Sequence, residues 1–479
     1  MTDLQKKILS LQNISEALEP QESVRNEYVR QVSDYANQFI NKLPFANAYS
    51  DAKENRELFK INTETKSLQD ILKIYEDEVS AKGIKPASGG HIGYIPGGGI
   101  YASALADYLV DVTNVYAGIY FASPGAVTME NELIDWMKSI FKFPESAVGN
   151  LTSGGSIANL IALTAARDKH KIKSDLVFKS VIYVSEQVHH CIHKALRIIG
   201  LEDVIIRYIA LDNHSRMVPS DLEKKLEVDR ESGLHPFLII ASAGTTDTGA
   251  IDPLKTIGNI AKANRLWFHV DAAYGGFFIL TEQKKDCFTG IEMADSLVID
   301  PHKGLFLPYG LGAVLVKDKA AVYHSNHYRA NYMQDASQDT APINPADVSP
   351  ELTKHFRGFR LWLPLKLHGI KPFIACLEEK LLLTTYFRER LFAHGYMLGP
   401  DPDLSVSYFW YPVQNKDENE FNKRLMQEIH KNGSIFLSST TINGKFVIRI
   451  AILSFRTKLE TIDNAIEMIE NSRKKINYS

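Results

Sequence analysis

The sequence has 479 residues, 45% of them hydrophobic and 23% charged, which is typical of a globular protein with one large domain and smaller appendages. Its formal net charge of −3 provides no basic field for a nucleic acid or an acidic membrane surface, and no segment approaches the roughly 20 apolar residues that span a bilayer. The three cysteines form no CxxC pair, and the first segment contains acids and no continuous apolar core, so we expect a soluble cytoplasmic protein without disulfides.

The N-terminal segment, residues 1–75, is predicted to form amphipathic helices, with Leu4, Ile8 and Leu11 at helical spacing. It has no evident core of its own. We therefore expect it to pack on another subunit or on the main domain. A glycine-rich loop is predicted to follow at Ser88–Gly99.

Short apolar runs alternate with helical segments from about residue 125 to residue 320. The predicted strands are Ser180–Val184, Val204–Leu211, Pro236–Ala241, Leu266–Asp271, Ser296–Ile299 and Gly312–Val316. The predicted helices include Asn131–Phe143, Ser156–Arg167, Ser220–Val228 and Pro253–Asn264. Such alternation predicts an α/β fold with a mostly parallel sheet that helices cover on both faces.

The last hundred residues have a different pattern, which predicts a small C-terminal α/β domain. Its predicted elements are a helix at Glu418–Lys431, strands at Ser434–Ser439 and Phe446–Leu453 joined by an Asn443-Gly444 turn, and a final helix at Leu459–Lys474. We therefore divide the chain into an N-terminal helical segment (1–75), a large domain (76–370) and a small C-terminal domain (371–479).

Polar residues follow four of the predicted strands, at the edge of the sheet where α/β proteins bind ligands. They are His189 and His190, then Thr246, then Asp271, and finally Asp300, His302 and Lys303. A Gly154-Gly155-Ser156 turn opens a helix that can present its N-terminus nearby. This combination suits pyridoxal phosphate, which needs a lysine for its aldehyde, an acid for its ring nitrogen, and amide donors for its phosphate.

Lys303 is the candidate for the aldehyde and Asp271 the candidate for the ring nitrogen, since a hydrogen bond to a charged group contributes roughly 1.5–3 kcal/mol. Taken alone, each has an ordinary alternative. A lysine in a Pro-His-Lys-Gly turn is usually a solvated surface residue, and an aspartate at a strand end is often only a cap. Their joint placement at one sheet edge favours the cofactor.

The remaining candidates are weaker when each is considered alone. Gly155 and Ser156 are expected to bind phosphate at a helix N-terminus, although such a turn is most often only a cap. His189 is expected to stack on the cofactor ring and Thr246 to contact it near the phenolic oxygen. His189 and His193 are also spaced like metal ligands, but no carboxylate or cysteine joins them, so we predict no metal site.

Over about Gly90–Ile469 the chain resembles the group II pyridoxal-phosphate decarboxylases, the family of aromatic-L-amino-acid, histidine and glutamate decarboxylases. The motifs that carry the resemblance are Ser123-Pro124-Gly125, Glu130-Asn131-Glu132, Thr152-Ser153-Gly154-Gly155-Ser156, Gln187-Val188-His189, Gly244-Thr245-Thr246, His269-Val270-Asp271-Ala272-Ala273-Tyr274 and Asp300-Pro301-His302-Lys303. It implies fold type I, pyridoxal 5'-phosphate, and a homodimer with active sites at the subunit interface.

The resemblance also implies roles for individual residues. It assigns the Schiff base to Lys303, the ring nitrogen to Asp271 and the stacking position to His189. The further cofactor positions that it implies are Gly155, Ser156, Thr246, Ala273, Asp300 and His302.

Two departures from the family pattern concern the pocket. Asp300 stands where the aromatic decarboxylases usually have asparagine. Because like charges about 4 Å apart repel by about 4 kcal/mol at an effective dielectric constant of 20, we expect its carboxylate to point away from the phosphate or to be matched by a cation. Gly97 stands where a threonine hydroxyl would orient the substrate carboxylate, so the aromatic pocket of the family does not transfer.

A third departure concerns the mobile loop of the family, which carries a tyrosine thought to return a proton to Cα. Met333–His355 contains no tyrosine, and Tyr332 lies just before it. We predict α-decarboxylation of an L-amino acid, with an aromatic substrate preferred, to an amine and CO2. Tyr332, solvent, and His189 or His190 are the candidates to return the proton, and we favour a histidine. The alternatives are an oxygen-consuming aldehyde synthase and a binding protein without turnover.

Overall fold

The computed structural model describes residues 1–327, 342–414 and 417–477. The chain begins with three helices, α1 (Asp3–Ser15), α2 (Glu22–Lys42) and α3 (Leu68–Tyr75), none of which buries a residue. Between and after them, the short strands β1 (Tyr49–Ser50) and β2 (Gly83–Ile84) pair antiparallel. This confirms a helical N-terminal segment without a core of its own.

The large domain alternates helices and strands. Its elements in chain order are α4 (Tyr101–Thr113), α5 (Pro124–Phe141), β3 (Val148–Thr152), α6 (Gly155–Lys169), β4 (Ser180–Ser185), α7 (Cys191–Ile198), β5 (Ile205–Ile209), α8 (Pro219–Glu231), β6 (His235–Ser242), α9 (Leu254–Asn264), β7 (Trp267–Asp271), β8 (Ser296–Ile299), α10 (Pro301–Gly304), β9 (Gly312–Val316), α11 (Lys319–Asn326) and α12 (Gly358–His368).

Seven of these strands form one sheet in the order β3-β9-β8-β7-β6-β4-β5. The strands from β8 to β5 are parallel, whereas β9 runs antiparallel to both of its neighbours. The mostly parallel sheet that we predicted is therefore confirmed. Strand β3 was not predicted, because Gly149 and Asn150 are poor strand formers and hide its short apolar pattern.

Helices pack on both faces of this sheet. Along β7, Phe268 and Val270 enter one apolar cluster, while Trp267 enters the cluster on the opposite face together with residues of α6. This alternation follows from the pleat of a strand, which turns successive side chains to opposite faces. It also places His269 on the same face as Trp267, below helix α6.

The small C-terminal domain is a four-stranded antiparallel sheet in the order β10-β11-β13-β12, with helices against it. Its elements are α13 (Lys371–Ala393), β10 (Met397–Leu398), β11 (Val406–Trp410), α14 (Glu418–Asn432), β12 (Ser438–Ile442), β13 (Lys445–Ala451) and α15 (Leu459–Asn477). The division of the chain at residue 371 stays a prediction. Phe373 and Leu377, early in α13, join the core of the large domain, whereas Phe387 and Leu391 join that of the small one.

The predicted strand at Ser434–Ser439 was wrong in its bounds, since β12 begins four residues later. The cause is a different backbone partner for the first part of the segment. Phe436 N–H donates to the carbonyl of Gly90 at 2.9 Å, and its own carbonyl accepts from Ile92 N–H at 3.1 Å. These bonds attach the glycine-rich loop of the large domain to the small domain.

Among the helices of the described ranges, none combines the length and the apolar composition that a membrane span requires.

Candidate active site

A cavity of about 390 Å³ lies at the edge of the sheet where β4, β6, β7 and β8 end. The loops that follow these parallel strands contribute most of its wall, as expected for an α/β sheet. All nine residues that the sequence singled out for the cofactor line it: Gly155, Ser156, His189, Thr246, Asp271, Ala273, Asp300, His302 and Lys303.

Helix α6 presents its N-terminus to this cavity. Its N-cap, Gly154, has a φ of 154° and provides no side-chain cap, so the amides of Gly155 and Ser156 are left for a ligand, whereas Ile157 N–H donates to the Gly154 carbonyl at 3.1 Å. Close packing around this N-terminus requires glycine at positions 155 and 312. A Cβ on Gly155 would lie 3.0 Å from Asp300 Oδ2, and a Cβ on Gly312 would lie 2.6 Å from Asp300 Oδ1. The glycines therefore make room for a buried carboxylate beside an anion site.

That carboxylate is matched by a cation. Lys303 Nζ lies 2.9 Å from Asp300 Oδ2, and Asp300 is only 1% exposed. Burial lowers the pKa of Lys303, but the charge and the hydrogen bond of Asp300 outweigh it, and the net shift of this pKa is upward. Of the two arrangements expected for Asp300, the structure therefore shows the one in which a cation matches its carboxylate. His302 Nε2 is more distant, at 3.8 Å from Asp300 Oδ2.

Asp271 is held at the floor of the cavity by two donors. Its Oδ1 accepts from the backbone N–H of Ala273 at 3.0 Å, and its Oδ2 accepts from Asn159 Nδ2 at 3.2 Å. Each carboxylate oxygen therefore has one fixed partner in the protein. The remaining lone pairs are left for a donor inside the cavity.

Two histidines in the cavity have a defined ring orientation. His189 Nδ1 accepts from the backbone N–H of Cys191 at 3.3 Å, and His302 Nδ1 lies 2.6 Å from the carbonyl oxygen of Leu311. Neutral His189 therefore carries its proton on Nε2, and neutral His302 carries it on Nδ1. Burial lowers the pKa of both rings, which favours these neutral forms. The exposed His190 lies next to His189, with ring centroids 4.1 Å apart and the ring planes tilted by 40°.

The small domain also fixes part of the cavity wall. Arg449, a buried residue on β13, donates to the carbonyl oxygens of Thr246, Asp247 at 3.2 Å and Gly93 at 3.2 Å. Its position therefore joins the loop after β6 to the glycine-rich loop. Thr246 itself lines the cavity with an exposed side chain.

Gly97 differs from the family threonine for a steric reason. A Cβ at this position would lie 2.2 Å from the backbone oxygen of His302, closer than any side chain allows. The glycine-rich loop passes directly over the turn that carries Lys303. A threonine at position 97 therefore does not fit this backbone.

Sequence reasoning missed several residues that line the cavity, among them Ile95, Asn159, Gln187, Cys191 and Tyr274. Asn159 had a readable signal, since it follows Gly155 by four residues and so lies on the same face of α6. Cys191 follows His189 by two. Burial raises the pKa of its thiol to about 12, so it remains protonated.

Comparison with known proteins gives the same family as the resemblance. Residues 53–403 match the model of the pyridoxal-dependent decarboxylase conserved domain. An aromatic-L-amino-acid decarboxylase of Bacillus atrophaeus is 34% identical over 375 residues, 77% of this chain and 78% of that protein. A phenylacetaldehyde synthase of Arabidopsis thaliana is 28% identical, over 77% of this chain and 79% of that protein. The crystal structure of Oryza sativa TDC with PLP and tryptamine superposes with a TM-score of 0.90 at 22% identity, covering 96% of this chain and 99% of that one.

The chain belongs to the pyridoxal-dependent decarboxylase family. It is a pyridoxal-phosphate-dependent amino-acid decarboxylase, and the predicted enzyme class and cofactor are confirmed. The cavity fits the cofactor on its own evidence. It combines a lysine, a held carboxylate and an uncapped helix N-terminus, and within the described chain the buried oxygen Asp300 Oδ1 has no hydrogen-bond partner.

We expect Asp300→Asn to accelerate the reaction of Lys303 with pyridoxal phosphate. A lysine must be neutral to attack an aldehyde, and removing the carboxylate lowers the pKa of Lys303. Losing a hydrogen bond to a charged group is worth roughly 1.5–3 kcal/mol, so capture at neutral pH should rise about 10- to 100-fold. Stopped-flow absorbance of the apoenzyme mixed with cofactor measures this rate.

Asp295→Asn is the matched control for this experiment. Asp295 is a carboxylate at the other end of the same strand β8, where its Oδ2 accepts from Phe268 N–H at 2.8 Å. Its substitution should leave the capture rate unchanged. Capture by Asp300→Asn that is no faster than wild type would show that the ion pair does not control Lys303.

Proposed function

We propose that this decarboxylase acts on an aromatic L-amino acid and that Lys303, Asp271 and His189 are its catalytic residues. One observation carries the proposal: the Lys303 amine, the Asp271 carboxylate and the N-terminus of α6 meet in a single cavity. The aromatic substrate is supported by the names of the similar proteins from Bacillus atrophaeus and Oryza sativa.

In this proposal the cofactor is held at three points. Lys303 binds its aldehyde, Asp271 accepts a hydrogen bond from its ring nitrogen, and Gly155 and Ser156 bind its phosphate at the helix N-terminus. Bound pyridoxal phosphate withdraws electrons from the Cα of an attached amino acid, so that the bond to the carboxylate can break. Thr246, Ala273, Asp300 and His302 complete the contacts.

The His189 ring would stack on the flat face of the cofactor and help to position the substrate. Its Nδ1 is already engaged by the Cys191 amide, so the free Nε2–H is the group that can donate within the cavity. A ring whose position is fixed by the backbone restricts the cofactor to one plane. Loss of this ring should therefore weaken both cofactor retention and substrate positioning.

The proton that Cα receives after CO2 leaves needs a donor, and a positioned donor contributes about 10²–10⁴-fold. We propose His190 or His189 for this role, since an imidazole N–H can donate a proton and both residues follow the end of β4 at the cavity edge. His190 is exposed, and its ring contacts that of the cavity residue His189. Tyr332 and solvent are the other candidate donors, and Tyr332 lies outside the described residues.

The second candidate is an oxygen-consuming aldehyde synthase. The observation in its favour is the absence of tyrosine from Met333–His355 in the sequence, which leaves proton return without the family's usual donor. A similar protein of Arabidopsis thaliana is a phenylacetaldehyde synthase. Such a reaction converts the amino acid, O2 and water to aldehyde, CO2, ammonia and peroxide. The third possibility, a binding protein without turnover, disagrees with membership of a family of decarboxylases.

We also propose that the protein is a cytoplasmic homodimer whose two copies share their active sites. In support of this, five apolar residues of α1 and α4 are 45–68% exposed: Leu4, Leu11, Leu105, Leu109 and Val112. A large exposed apolar surface usually marks a protein interface. A second copy of the chain would cover these helices.

Borohydride reduction of the holoenzyme should attach a pyridoxyl group to the peptide that contains Lys303. The reason is that Lys303 is the lysine whose amine lines the cavity. Peptide mapping by mass spectrometry locates the label. Lys303→Ala should lose both label and turnover, whereas Lys317→Ala, at the end of β9, should keep both. A label on another lysine would overturn the assignment.

The product pattern separates the two candidate reactions. With an aromatic L-amino acid under air and under nitrogen, we expect equal CO2 and amine in both gases, with only minor aldehyde and peroxide. Peroxide and aldehyde that match the CO2, with turnover lost under nitrogen, would replace the decarboxylase proposal by the synthase. If amine is the product, the slower of Tyr332→Phe and His190→Ala identifies the proton donor.

The dimer is tested by sedimentation equilibrium, which should give twice the mass of the chain. Leu105→Glu/Leu109→Glu should raise the dimer dissociation constant at least tenfold, because two charges would be buried at the interface. Leu459→Glu, at an equally exposed leucine of the small domain, should leave the mass unchanged. A monomeric wild-type protein with full turnover would contradict the shared active site.

A further inference from the structure

A chain of buried hydrogen bonds runs from Asp271 into the interior of the large domain. Asn159 Nδ2 lies 3.2 Å from Asp271 Oδ2, and Asn159 Oδ1 lies 2.7 Å from His269 Nε2. His269 Nδ1 lies 2.8 Å from Ser296 Oγ, and that oxygen lies 2.8 Å from Trp267 Nε1. Asn159, His269 and Ser296 have no exposed surface, and Trp267 is 3% exposed.

The indole at the inner end is compatible with one direction of these bonds. Trp267 Nε1–H can only donate, so Ser296 Oγ accepts there and keeps one proton to give. The inner end therefore allows this proton to go to His269 Nδ1, and the contacts at the outer end decide that it does. Burial lowers the pKa of His269 to about 4, so the ring is neutral and carries its own proton on Nε2. His269 Nε2–H therefore donates to Asn159 Oδ1, which turns the amide Nδ2 towards Asp271.

The carboxylate at the outer end requires the same direction. If His269 carried its proton on Nδ1, its Nε2 would accept from the amide of Asn159. Asn159 Oδ1 would then face Asp271 Oδ2, and two acceptors would stand 3.2 Å apart without a proton between them. Such an unsatisfied pair is costly in a buried site. The outer end thus selects one tautomer and one amide orientation, and the inner end is compatible with both.

We infer that Trp267, Ser296, His269 and Asn159 are positioning residues that hold the Asp271 carboxylate for the cofactor ring nitrogen. The inference rests on the proposed role of Asp271. With Oδ2 held by this chain and Oδ1 held by the amide of Ala273, the carboxylate plane cannot rotate. None of the three inner residues, Trp267, Ser296 and His269, lines the cavity, so they act on the cofactor through Asn159 and Asp271.

The wild-type apoenzyme provides the first test, which needs neither cofactor nor turnover. Nitrogen chemical shifts of ¹⁵N-histidine-labelled protein distinguish the two neutral tautomers, and the His269 signals are assigned by their loss in His269→Gln. We expect the Nε2–H tautomer, unchanged from pH 6 to pH 8. An Nδ1–H tautomer or a charged ring in this range would overturn the inference.

Ser296→Ala provides the second test. It leaves Trp267 Nε1–H without an acceptor and His269 Nδ1 without a donor, so the His269 ring loses its inner anchor while the Asn159–Asp271 contact still favours the Nε2–H tautomer. Cofactor binding to the apoenzyme, followed by fluorescence titration, should weaken about three- to tenfold, the effect of one lost buried hydrogen bond. The absorption band of the bound cofactor should also change, because the carboxylate beside its ring is no longer fixed.

Ser180→Ala is the matched control. Ser180 is also fully buried at the start of a strand, and its hydroxyl donates to the carbonyl of Leu176 at 2.7 Å, away from Asp271. It should change neither the tautomer nor the dissociation constant. Equal effects of Ser180→Ala and Ser296→Ala would show that the hydrogen bonds from Trp267 to Asp271 contribute only to general packing. If the wild-type protein binds no cofactor, the proposed role of Asp271 fails, while the tautomer still reports on the chain of hydrogen bonds.

Discussion

Parallel pairing of β8, β7, β6 and β4 is the constraint on which the cavity depends. Parallel strands end at the same edge of a sheet, so each loop that follows them begins at that edge. His189 and Lys303, more than a hundred residues apart in the chain, meet there for this reason. The strand register shows the same alignment of strand ends: Asp271 at the end of β7 lies opposite Ser242 of β6 and Val298 of β8.

The charges of the cavity are arranged around two carboxylates that have different partners. Asp300 is paired with the ammonium group of Lys303, whereas Asp271 is held by neutral donors, an asparagine amide and a backbone N–H. A carboxylate held by neutral donors remains available to a cationic ring nitrogen, and one that is paired with a lysine offsets the positive charge of that lysine. Asp300 thus favours the protonated state of the free lysine, whereas Asp271, in the role that we propose for it, would favour the bound state of the cofactor.

The small domain contributes to the site although none of its described residues lines the cavity. Arg449 on β13 joins the Thr246 loop to the glycine-rich loop, and Phe436 binds the backbone of the same glycine-rich loop. This loop passes so close to His302 that Gly97 has no space for a side chain. The wall above Lys303 is therefore shaped by contacts between the two domains, which is why a substrate pocket cannot be transferred from the family residue by residue.

The sequence by itself determined the α/β class, the strands that end at the cavity, and the residues next to those ends, because strand periodicity and the motifs after each strand are local in the chain. Asp271 and Lys303 were identified in this way, although their roles remain predictions. Tertiary structure alone decided the partner of Asp300, the reason for glycine at position 97, and the hydrogen bonds of Asn159. Each of these depends on contacts between residues that are distant in sequence. Hydrophobic periodicity and motifs are local patterns, so they do not specify the distances between such residues.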